Sequence, residues 1–227
     1  MNTTNKVSRV LGLAFLLQFI TSVSSGSFIR PLWLVPDDIR ATMLKIAENP
    51  VVLRINILVD MLTALGVIFL GAILFITLRK QNEKIALTAL GFYILEGALL
   101  AASRIGSFSL LKLSQEYASL GQPESLLVFG NVAFEAADYV GDVLHVLAFC
   151  LGAILFYVLL YRSKFVPRWL SLWGLITVIP VLAGTLTAAF EAHLPFIFFL
   201  PYFPFEFVIG IWIIVKGAPE VRQEFAA

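Results

Sequence analysis

Glu135, Asp138, Asp142 and His145 follow one another at intervals of three, four and three residues, so a helix carries all four on one face. Three carboxyls and an imidazole in a row can line the wall of a funnel, or they can simply solvate a helix end. Two further acids, Glu96 and Glu206, stand alone in otherwise uncharged apolar stretches. A carboxylate in hydrocarbon costs at least ~2.5–3.5 kcal/mol, so each must be protonated, paired or bound to a cation. Protonation would suit a proton-coupled carrier, and pairing would only register helices. A metal would need two carboxylates and an imidazole, but the chain has two histidines and His193 is expected in an outer loop. Neither a metal site nor a cofactor is therefore expected.

Glu206 follows Pro195, Pro201 and Pro204. Proline is tolerated in a first helical turn and disruptive further in. A half-helix starting near Pro204 is one reading, and it would hold Glu206 in a first turn whose free N–H groups and dipole favour a carboxylate. A plain kink is the commoner outcome of such prolines, and Pro180 is read as one. The sequence has no HExxH, paired CxxC, GxSxG or phosphate-binding glycine loop, so no catalytic residue is assigned. Ser24-Ser25-Gly26-Ser27 reads as small polar residues at a helix end, and Asn2-Thr3-Thr4, which fits a glycosylation pattern, is expected in the cytoplasm.

The elements that must hold these groups follow from composition. Of 227 residues, 59% are hydrophobic and only 14% charged, against about 45–50% and 25% in a soluble domain. Lipid is the solvent that such a chain requires. A net charge of +1 offers no field for nucleic acid, and Cys150, the sole cysteine, allows no internal disulfide. Stretches of roughly 18 or more apolar residues predict six spans, at about 10–28, 56–78, 85–103, 139–161, 169–190 and 194–214. Without two-residue alternation they are helices rather than barrel strands. The expected fold is a single all-α, polytopic membrane helix bundle over residues 1–227.

Lysine and arginine collect on the cytoplasmic side. With the N-terminus inside, ten of the sixteen basic residues fall on inner segments, including Lys6, Arg79, Lys84, Arg162, Arg168, Lys216 and Arg222. Both termini are thus expected in the cytoplasm of a plasma (inner) membrane. A cleaved signal peptide is a rival reading of the first span, but its uncharged stretch is long enough to cross the bilayer. Counting ~1.5 Å per residue from the basic ends puts Glu96 ~18 Å, Glu206 ~15 Å and His145 ~25 Å above the inner boundary. Asp60, Asp142 and Glu191 come near the outer interface, toward which Arg54 and Arg104 are expected to snorkel. An outward-facing pocket of Glu96, Asp142, His145 and Glu206, rimmed by Arg54, Asp60 and Arg104, is the resulting candidate site.

An internal echo, Leu70-Gly-Ala-Ile-Leu-Phe75 and Leu151-Gly-Ala-Ile-Leu-Phe156, is expected by chance from so small an alphabet, although a duplicated hairpin would also produce it.

The run Leu160-Tyr-Arg-Ser-Lys-Phe-Val-Pro-Arg-Trp-Leu170 resembles the fourth-span exit of a bacterial membrane family, domain of unknown function 4386. Arg54 before Asp60, the segment around Glu96, His145 ahead of Gly152, and Phe205-Glu206 leading to Trp212 and Lys216-Gly217 are similar to the same family. The likeness extends in order over about residues 9–217. Ser171 departs from the family's usual glycine, which bears only on local packing. The resemblance implies a six-helix bacterial membrane protein with its first span retained, and it carries over no catalytic residue.

The function expected is binding or transport of a small solute or ion, with Glu96 or Glu206 as proton-linked acids and His145 as a titratable gate. A carrier with so few spans would favour a homodimer. The alternatives are a membrane enzyme acting on lipid or isoprenoid head groups, and a structural or partner-binding protein. The bilayer itself is the expected partner in every case.

Overall fold

A chain in lipid must satisfy every backbone N–H and C=O within itself, and this one does so with helices. The computed structural model describes residues 3–190, 192 and 194–216. Glu191, His193, Gly217 and Arg222 lie outside the described residues. The helices are α1 (Thr3–Val23), α2 (Ile39–Glu48), α3 (Pro50–Leu78), α4 (Glu83–Ser119), α5 (Glu124–Asp138), α6 (His145–Ser163), α7 (Arg168–Ala188) and α8 (Phe203–Lys216). A π-helical turn, Ser24–Ile29, and a 3-10 turn, Arg30–Leu32, extend α1; a second π-helical turn, Tyr139–Leu144, joins α5 to α6. Among the described residues there is no strand.

Local chemistry starts and stops these helices. Asp38 caps α2 by accepting from the Ala41 N–H at 2.9 Å, and Asn82 caps α4 by accepting from Ile85 N–H at 3.1 Å, each satisfying a donor that the first turn leaves free. Pro50 sits in the first turn of α3, where its missing N–H costs nothing. α6 ends on Lys164, held in the left-handed region at φ 55°.

Five segments are long and apolar enough to cross a membrane: Ser8–Leu32, Pro50–Leu78, Glu83–Ser119, Glu124–Ser163 and Arg168–Ala188. The chain is a membrane-embedded helical protein. Three expectations about boundaries are corrected. The span expected at 194–214 is not one helix: Phe196–Phe198 is a 3-10 turn and α8 has 14 residues, ~21 Å against the ~30 Å of hydrocarbon. Pro195, Pro201 and Pro204 explain this, since each lacks an N–H and clashes with the preceding turn. α8 begins beside Pro204 with Glu206 in its first turn. The third and fourth spans run far past their expected limits, to 37 residues in α4 and 40 in Glu124–Ser163. The stretch between the first two expected spans contains α2 and the start of α3.

Six helices close a ring, with α1 on α3, α3 on α4, α4 on α6, α6 on α7, α7 on α8 and α8 back on α1. α2 lies outside it, against α4 and α5. The interior next to the 79–84 and 162–168 loops is filled by Leu74, Tyr93, Phe156, Tyr157, Phe205 and Ile209, all at most 2% exposed. Small residues let backbones approach there, as they do in lipid-embedded bundles. A Cβ on Gly97 would come 2.7 Å from the Ala64 carbonyl, and one on Gly12 would come 2.7 Å from that of Gly210. A second core of Trp33, Met43, Ile46, Leu53, Leu110, Leu111 and Tyr117 joins α2 to the far ends of α3 and α4. It gives the extra turns of α4 protein cover.

The echoed hexapeptides occupy matching places. Gly71 of α3 and Gly152 of α6 face the same side chain, Tyr93 of α4, and a Cβ on either would lie 2.7 Å from it.

Candidate functional site

At the end of the ring opposite the basic loops the interior is polar. Asp60 on α3 is 6% exposed and every bond around it is local to that end. Ser25, in the π-helical turn after α1, donates to Asp60 Oδ1. Asn56, one helical turn before Asp60, donates to Ser25 Oγ at 2.6 Å and to Asp60 Oδ2 at 3.1 Å. Trp33 Nε1 donates to Asn56 Oδ1 at 2.6 Å. Arg104 Nη1 reaches Asp60 Oδ2 at 2.6 Å, with side-chain exposures of 15% and 9%. Its Nε and Nη2 donate to Ser103 Oγ at 2.9 and 2.8 Å. Charge-assisted bonds of this kind offset the desolvation of both ions.

Arg104 therefore turns inward instead of snorkelling to the interface. α4 continues beyond Ser103 under the cover of α2 and α5, and the guanidinium lies where Asp60 and Ser103 satisfy it. The π-helical turn at Tyr139–Leu144 brings Gly141 against the guanidinium; a Cβ there would lie 2.5 Å from Arg104 Nη2.

Arg30, just past the π-helical turn of α1, bonds Asp138 and, through Nη1 at 2.9 Å, Asp142. These two acids belong to the expected stripe. The stripe does not act as one wall, however. Glu135 accepts from Asn131 Nδ2 at 2.7 Å and faces a separate surface cleft. His145 lies beyond the π-helical turn and lines both cavities of the ring interior, its Nδ1 buried without a hydrogen-bond partner.

Two cavities occupy this end. The first, of about 140 Å³, is lined by Arg30, Asp60, Arg104, Asp138, Asp142, Glu96 and His145 among others. The second, of about 200 Å³, is lined by Gln18, Phe19, Ser22, Val23, Glu96, His145, Val146, Phe149, Tyr202, Phe203 and Glu206. Gln18, Ser22, Glu96 and His145 line both. Glu96 is 4% exposed and its Oε2 is buried with no hydrogen-bond partner. Glu206, 7% exposed, accepts from the Tyr202 hydroxyl at 2.8 Å, and Tyr202 shares a 2.7 Å hydroxyl contact with Tyr157.

Of the expected pocket, Glu96 and His145 lie between the cavities, Asp142 belongs to the first and Glu206 to the second. Asp60 and Arg104 are wall members more than rim. Arg54 is exposed and lines neither cavity. Among the described residues no three His, Cys, Asp or Glu side chains stand close enough to hold a metal; His193 is not among them.

Sequence reasoning missed Arg30, Asn56, Ser25, Gln18 and Tyr202. Arg30 is one of the basic residues outside the inner segments and directly follows an uncharged stretch, so by sequence it reads as a charge at a span's outer end. Ser25 and Asn56 carry no charge and so no membrane penalty large enough to notice. Tyr202 stood among prolines that suggested only irregular backbone.

No curated protein and no solved structure matches this chain. A family does: the likeness seen around the 162–168 loop extends along nearly the whole length, and the chain belongs to the family described as Domain of unknown function (DUF4386), which matches residues 10–217.

Proposed function

We propose that this protein binds a small solute or ion in the paired cavities and carries it into the membrane, with Glu96 at the passage between them. The observation that carries the reading is Glu96 itself: nearly wholly buried, with one carboxylate oxygen unpartnered, in the wall common to both cavities. Buried polar atoms are satisfied in the great majority of cases, and one that is not asks for a reason. Binding is such a reason, because an acid in hydrocarbon without a protein cation is an open valence for a proton or a ligand. The interrupted sixth segment supports the same reading. Non-helical backbone at membrane depth survives only where protein or a wet cavity covers it, and half-helices that start beside a site are a recurring carrier device.

In this reading the protein sits in the plasma membrane with both termini in the cytoplasm, so that the first cavity faces outside. The concentration of basic residues on the 79–84 and 162–168 loops supports that orientation. The test is solute uptake into proteoliposomes under an imposed pH gradient, with Glu96→Gln and Glu206→Gln. Each variant should purify as a folded protein and lose pH-gradient-dependent uptake. If both fail to insert or assemble, the acids are structural and the reading is wrong.

A further inference from the structure

The two cavities differ in what they leave unpaired. In the first, both guanidiniums already have carboxylates: Arg104 holds Asp60, and Arg30 holds Asp138 and Asp142. The second has two acids, Glu96 and Glu206, and no lysine or arginine among its lining residues. It also has rings. Phe149 and Tyr202 meet edge to face with centroids 5.5 Å apart, and Phe19 and Phe203 do so at 5.6 Å. The four rings come from α1, from α6, and from the residue before α8 and its first residue, and the backbones of α1 and α6 do not pack against each other.

Deepening the binding reading above, on which it rests, we propose that the second cavity takes a small organic ammonium ion, with Glu206 and Glu96 as counter-charges and Phe19, Phe149, Tyr202 and Phe203 as an aromatic cage. An aromatic face carries the negative end of the ring quadrupole, and desolvated cations over such faces gain up to ~2 kcal/mol or more. The carboxylates supply the charge that a ring cannot, at a place where no lysine or arginine competes and His145 is the one basic side chain among the lining residues. An anion would meet two carboxyls against the single imidazole of His145. A neutral solute would find the rings, and with a hydroxyl could even bond the Glu96 oxygen, but it would bring no charge to offset the two carboxyls. The size is also selective, since 200 Å³ lies below the roughly 300–1,000 Å³ of pockets for drug-sized ligands.

The experiment is thermal unfolding of the purified, detergent-solubilised full chain, titrated separately with choline, with its neutral carbon isostere 3,3-dimethyl-1-butanol, with acetate and with sodium chloride. Choline should raise the unfolding temperature saturably, at concentrations about tenfold or more below those at which the isostere acts. Phe149→Leu, which keeps an apolar side chain but removes a ring, should weaken the choline effect several-fold, and Glu206→Gln should weaken it more. Equal stabilisation by the isostere, or saturable stabilisation by acetate or by sodium alone, overturns the ammonium assignment and leaves the cavity reading standing. No saturable stabilisation by any of the four overturns both. The comparison of choline with its isostere is made on the unsubstituted protein, so it holds even if a variant does not fold.

Discussion

Helices α3, α4 and α6 meet twice, and the two meetings are built on opposite principles. Beside the basic loops they close on Tyr93, which is 2% exposed between Gly71 and Gly152 and stacked edge to face on Phe156 at 5.1 Å. At the other end the same three helices hold Asp60, Glu96 and His145 around open space. In lipid there is no hydrophobic gain from bringing apolar helices together, so contact area and small residues must hold the first meeting. The second is held by a fixed network of ion pairs and hydrogen bonds, which gives up contact for cavities. One end is therefore suited to keep the ring shut and the other to admit a guest.

Three substitutions can break or sharpen that contrast. The largest effect is expected from Asp60→Ala, which leaves Arg104 buried without its carboxylate and removes the acceptor of Ser25 and Asn56. Breaking a buried pair in this way costs about 3–5 kcal/mol, measurable by denaturation in mixed micelles, and Asp60→Leu combined with Arg104→Met should recover most of it. A loss below about 1 kcal/mol would mean the polar end is not held by this pair.

Gly152→Val comes next. Its added atoms would overlap the Tyr93 ring, and overpacking of this kind costs about 1–3 kcal/mol. The same denaturation assay should show the loss, while the concentration of choline giving half its effect stays unchanged, because no cavity residue is touched. If stability holds but choline binding moves, the two ends are coupled and do not act independently.

The smallest effect is expected for Arg54→Ala. Arg54 is exposed and lines neither cavity, so stability should change by no more than about 0.5 kcal/mol and uptake should be unaltered. A strong loss of uptake would restore Arg54 to the rim.

Much of the helical framework was legible in the sequence, because an uncharged apolar run of sufficient length has few other stable forms in lipid. The ends of helices were less so. Residues 104–119 extend α4 because α2 and α5 cover them, and hydropathy along one strand of sequence does not reveal a neighbour brought from elsewhere. The prolines before α8 marked an irregularity, since proline acts through its own covalent geometry, but they left open whether a kink or a half-helix follows. Glu96, His145 and Glu206 stood out through the cost of burying them. Their division between two cavities did not, because it depends on the π-helical turn before His145 and on where the start of α8 comes to rest. The echo around Gly71 and Gly152 was visible as a repeat of letters, yet its meaning, two glycines against one tyrosine, required α3 and α6 to flank α4.

Composition and spacing alone determined that the chain lives in a membrane, is helical, and keeps a few acids where lipid penalises them. Those are local properties, set by transfer free energies and by backbone geometry within each segment. Only the tertiary structure decided which charges cancel. Arg30 meets Asp138 and Asp142 across more than a hundred residues, Arg104 turns in to Asp60, and Glu96 is left with an oxygen unpaired. An electrostatic interaction falls with distance through space, and distance through space is what a linear sequence does not contain.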